Sequence, residues 1–99
     1  MIEEPVVAVH IPPELRRFTQ GRDEVMASGD TVRDVLESLD HEHPGVLSQV
    51  LSPTGDIVPA LDVWLGGSEV RALAGLATPV GLEELVAIVP AGSRPVSRP

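Results

Sequence analysis

Leu85-Val86-Ala87-Ile88-Val89, near the C-terminal end of this 99-residue chain, is apolar at every position. A strand with one wet face alternates apolar and polar residues, so an unbroken apolar run reads as a strand covered on both sides. The last strand in sequence is therefore expected in the middle of a sheet. Its simplest neighbour is the first apolar run, Val6 to Ile11, which Pro12-Pro13 stops because proline lacks a ladder donor and keeps its predecessor extended. Gly21 opens a turn before Asp23 to Ala27, a shorter strand that pairs with the first as a hairpin around a rather long loop.

After Ser28-Gly29-Asp30-Thr31 the period changes. Val32, Val35, Leu36 and Leu39 stand at i, i+3, i+4 and i+7 with Asp34, Glu37 and Asp40 opposite, which predicts an amphipathic helix capped by Asp30 or Thr31. The helix should end near His43, before Pro44, and a second short helical turn presents Val46, Leu47, Val50 and Leu51. Alternation returns in a third strand, Ala60 to Leu65, followed by a small edge strand over Glu69 to Leu73 and a loop at Gly75 to Pro79. This order gives an α+β class: a ubiquitin-like β-grasp, with a mixed four- or five-stranded sheet, one main helix and a short second helix. Residues 1–91 form the domain. Residues 92–99 lack an apolar period and are rich in Pro and Ser, which makes them a tail expected to be mobile.

Composition narrows the chemistry. With 42% apolar residues the chain has the makings of one core, and with no cysteine it has no thiolate site, disulfide or cysteine nucleophile. The net charge of −8, with Phe18 and Trp64 as the aromatics, argues against a nucleic-acid partner. The opening lacks the basic region of a signal peptide, and the apolar runs are too short to span a bilayer, so no membrane role and a cytoplasmic location are expected. Lysine is absent, which leaves the N-terminal amine as the only amine.

No self-contained active site is visible. Asp40-His41-Glu42-His43 holds ligand-type side chains, but at i, i+2 spacing two ring nitrogens diverge at a helix end, and a helix C-terminus favours imidazoles without any metal. His10 stands alone on a strand, Gly66-Gly67-Ser68 lacks the Lys and helix of a phosphate loop, and no Gly-x-Ser-x-Gly elbow occurs. No catalytic residue, metal or cofactor is assigned. The apolar excess on the strands points instead to binding. If Leu61, Val63 and Leu65 face the helix, Trp64 faces away, and the last strand offers that side either Val86 and Ile88 or Leu85, Ala87 and Val89. Trp64, Val86 and Ile88 are taken as the partner-binding residues on an apolar patch, with a weak homodimer as one use of it.

Several short motifs resemble the MoaD/ThiS family of sulfur carriers, its cysteine-biosynthesis branch in particular. They are Ile11-Pro12, Leu15-Arg16, Thr19-x-Gly21, Ala27-Ser28-Gly29-Asp30-Thr31, Val70-Arg71, Gly75-Leu76-Ala77-Thr78 and Ile88-Val89-Pro90-Ala91, in family order over residues 6–91. The resemblance implies a carrier: an E1-like enzyme adenylates the C-terminal carboxylate, a sulfur donor makes it a thiocarboxylate, and a sulfur-accepting client enzyme takes the tail. Such tails end in Gly-Gly, whose lack of side chains lets the backbone thread a narrow channel. Here the sequence departs, for Gly92-Ser93-Arg94-Pro95 follows Ala91, and ungapped alignment puts Arg94 and Pro95 at the glycine positions. Gly81-Leu82-Glu83-Glu84 likewise replaces a usual Gly-Asp turn. Three readings follow: a diverged interaction module that has lost its Gly-Gly terminus, a precursor whose trimming exposes Gly92, and a carrier that tolerates its tail. The family's pathways, from molybdopterin and thiamine to cysteine and secondary metabolites, share this domain.

Overall fold

The computed structural model describes residues 6–81 and 85–92. Strands β1 (Val6–His10), β2 (Glu24–Ser28), β3 (Leu61–Leu65), β4 (Ser68–Glu69) and β5 (Leu85–Pro90) form one sheet in the order β2-β1-β5-β3-β4. β5 occupies the middle, parallel to β1 and antiparallel to β3, as its unbroken apolar run requires. Helices α1 (Val32–Glu42) and α2 (Val46–Val50) lie between β2 and β3 in sequence. This is a mixed sheet with one main helix and a short second one, the β-grasp arrangement. Among the described residues no helix is long and apolar enough to cross a membrane.

The helical stripe supplies the core. Val32, Val35, Leu36 and Leu39 are all fully buried against Val7, Val9, Val25, Val63, Val86 and Ile88 from the strands. Thr31 is the cap, its Oγ1 accepting the Asp34 N–H at 3.2 Å, while the Asp30 carbonyl accepts from Val80 instead. α2 follows α1 closely because Asp40 Oδ1 accepts the N–H groups of both Gly45 and Leu47, at 3.1 Å each. That carboxylate oxygen, within the Asp40-His41-Glu42-His43 cluster, thus serves as a helix cap.

The sheet differs from expectation at its edge. The strand read over Glu69 to Leu73 stops at Glu69, and Val70–Ala72 winds into a 3₁₀ turn that carries Val70 into the core. From the turn Arg71 reaches back, its Nη2 donating to the carbonyls of Ile57, Val58 and Leu61, so a guanidinium bonds groups in and ahead of β3. The expected mobility of the tail beyond Gly92 and the departure at residues 82–84 lie outside the described residues.

Candidate functional site

The end of β5 and the two described residues after it are held by β3, with Arg71 behind. Beyond Pro90, the Ala91 N–H donates to the Ala60 carbonyl at 2.9 Å, extending the β3–β5 ladder by one bond. Gly92 then bends away with φ +86°, a conformation glycine adopts without a Cβ penalty. Its N–H donates to Asp62 Oδ2 at 3.0 Å. Because Leu61 and Val63 point into the core, Asp62 between them stands on the helix-free face, and the tail root is drawn onto that face. The other carboxylate oxygen of Asp62 accepts from Arg71 Nη1, which also reaches Glu69 Oε2 at 2.8 Å. The Gly92 N–H holds the Asp62 carboxyl below its ordinary value against the opposing effect of burial, with Arg71 adding to the lowering.

The rest of the helix-free face mixes His10, Glu24 and Glu69 with apolar residues, and only Trp64 of the expected partner-binding residues lies on it. Val86 and Ile88 are 0% exposed and belong to the core under α1. The register explains this, since Val86 pairs with Leu65 and Ile88 with Val63, and partners across a ladder share a face. The alternative set, Leu85, Ala87 and Val89, faces away from the helix. Ala87 and Val89 are themselves buried there, Ala87 between His10 on β1 and Trp64 on β3. Trp64 does face away and is half-buried, beside Glu69 of β4, with its Nε1 enclosed and without an acceptor among the described residues.

The exposed apolar side chains of this face are Met26 at 57% and Val6 at 52%, which the alternation argument did not single out, and Leu85 at 37%, a member of the alternative set. Met26 carried a signal, being the apolar residue between inward-pointing Val25 and Ala27 on a half-wet strand. Asp62 had one too, as the outward acid of β3. Its bond to Gly92, thirty residues away, had none.

No protein-family model matches the chain. It is 33% identical over 87 residues to the sulfur carrier protein CysO of Mycobacterium tuberculosis, spanning 86% of this chain and 94% of that one. The chain belongs to the MoaD/ThiS-like family of small sulfur carriers. A crystal structure of M. tuberculosis CysO superposes on this carrier with a TM-score of 0.83, covering 86% of this chain and 98% of that one at 33% identity. CysO of Amycolatopsis orientalis, solved in complex with BexX, gives 0.81 at 27% identity, covering 90% and 99%. The small archaeal modifier protein 1 of Methanosarcina acetivorans, at 24% identity, shares the fold with a TM-score of 0.76, covering 95% and 100%.

The motifs of this carrier have structural work that suits a ubiquitin-like domain. Ile11 fills the core, and its carbonyl accepts from Arg16 Nε at 3.1 Å. Buried Thr19 turns the long β1–β2 loop by donating its hydroxyl to the Arg22 carbonyl at 2.8 Å. Buried Thr78 accepts the Ala74 N–H and donates to the Gly75 carbonyl, while its own carbonyl receives the Val32 N–H at the start of α1.

Proposed function

We propose that this sulfur carrier works through its C-terminal tail, in the cytoplasm and without an active site of its own, and that trimming precedes its activation. An E1-like enzyme binds the helix-free face around Met26, Leu85 and Trp64 and receives the tail. There a terminal carboxylate attacks the α-phosphorus of ATP, releasing pyrophosphate and giving an acyl-adenylate. A sulfide-equivalent donor displaces AMP, and the thiocarboxylate sulfur then attacks an electrophile held by a client enzyme. The observation that supports this reading most is the position of the tail root. Central strand β5 delivers Gly92 onto the same face that exposes Met26 and Leu85, so one docked partner meets both patch and tail.

Arg94 and Pro95 oppose activation of the untrimmed chain, because a narrow channel excludes their side chains and Pro95 also lacks a backbone donor. A terminus at Gly92 lies three residues nearer the domain than the family spacing, whose second glycine falls at position 95. The test offers three versions to an E1-like adenylating enzyme with ATP: the full chain, the chain cut after Gly92, and a chain rebuilt to end in two glycines at positions 94 and 95. The expected order of acyl-adenylate formation is none, weak and strong. Thiocarboxylate on the untrimmed chain, seen by intact mass, overturns the requirement for trimming. Silence from all three versions favours the interaction module that has lost its Gly-Gly terminus.

A further inference from the structure

Gly92 is the last described residue, and it is neither extended nor free. Strand β3 holds the chain as far as Ala91, whose N–H is bonded to Ala60. One residue later the backbone has left the ladder at φ +86°, and the Gly92 N–H points at Asp62 Oδ2, 3.0 Å away. The carboxylate is itself fixed: Arg71 holds its second oxygen, and Arg71 is anchored by Glu69 and by the carbonyls of Ile57, Val58 and Leu61. A Cβ added at Gly92 would meet no atom within 4 Å, so space places no demand for glycine there and only the positive φ does.

We propose that Asp62 is a latch for the tail, holding Gly92 bent against β3 so that an enzyme taking the tail in extended form must first break this bond. A chain threaded through a channel, or laid as a strand in a protease cleft, presents its backbone extended, and a glycine near φ +86° does not satisfy that geometry. The latch therefore makes the tail less available to trimming and to activation until a partner docks. It rests on the reading of the tail as the working end. Its geometry can be tested apart from that reading.

Two readouts on the full chain need no activating enzyme. The first is amide hydrogen exchange at residue 92. The parent should exchange roughly five- to tenfold more slowly there than Asp62→Ala, the factor that one ordinary hydrogen bond supplies. Gly92→Ala, which leaves Asp62 in place but disfavours the bend, should lose protection at residue 92 by a similar factor. Ala91, bonded to the backbone of Ala60, should stay protected in both variants, which separates loss of the latch from general loosening. The second readout is cleavage of the Ala91–Gly92 bond by an elastase-type protease, which cuts after small residues and binds its substrate extended. Asp62→Ala should be cut several-fold faster than the parent. An unprotected Gly92 amide in the parent, or parent and variant cut at equal rates, overturns the latch. Should these readouts hold while no version forms an adenylate, the latch stands and the carrier mechanism falls.

Discussion

Asp62 joins β3 to a residue thirty positions later in the chain, and its protonation state shows in stability. The Gly92 N–H, with Arg71 behind it, favours the charged carboxylate over the neutral acid and lowers the folded value below the ordinary 3.8, despite the burial that opposes it. A group lowered on folding adds stability above its unfolded value, and that increment disappears as pH falls through the folded value. Asp62→Asn, which keeps shape and one acceptor, removes the charge. The parent should then exceed Asp62→Asn in stability at neutral pH, with the gap closing below about pH 4. Urea unfolding of both proteins at several pH values checks this, and a gap independent of pH would contradict the assignment. Trp64 and Asp62 were legible as outward residues because alternation along Leu61 to Leu65 depends on neighbours alone. The bond from Asp62 to Gly92 was not, since it depends on where the chain bends thirty residues later.

Helix α1 was legible because its signals are local and agree: a stripe at helical spacing, a threonine cap and Pro44 beyond its end. β5 was legible as a central strand for a different reason, its lack of any polar position. That same uniformity hid which side of it met the helix, and only pairing with β3 decides that Val86 and Ile88 are core. The short β4 was overread because Val70 and Leu73 look strand-like, whereas Arg71 finds its partners only in the folded sheet. Two changes test the contact of α1 with the sheet. Leu36, 0% exposed, should cost about 2 to 5 kcal/mol as Leu36→Ala in chemical denaturation. A loss below about 1 kcal/mol would mean the site is not core. Gly29→Ala should also destabilise, because the new Cβ would stand 2.6 Å from the Val35 backbone nitrogen and no flexible side chain is there to yield. Its helix and strands should form as before, with a lower midpoint of denaturation.

Taken as a whole, the molecule is asymmetric: α1 covers one face of the sheet, and the other leaves Met26, Val6 and Leu85 exposed. The formal charge of −8 discourages self-association through long-range repulsion and favours a partner with basic groups around an apolar centre. The Gly92 N–H bonds Asp62 on this face as well, which links association with delivery of the tail under the proposed mechanism. Met26 gives the cleaner test, for at 57% exposure its replacement leaves the core intact, whereas half-buried Trp64 also packs beside Ala87. Met26→Glu puts a charge on the β2 side of the proposed contact and adds to the acidity around it. Binding to the activating enzyme should weaken by about 1 to 2 kcal/mol, roughly five- to thirtyfold in Kd, with the unfolding midpoint nearly unchanged. Trp64→Ala should weaken binding too, with some loss of stability. Titration calorimetry of each variant against the enzyme, beside sedimentation equilibrium of the carrier alone, reads both properties. Unchanged affinity in Met26→Glu rules this face out as the docking surface, and a parent dimer that Met26→Glu dissolves assigns the face to a second copy of the chain.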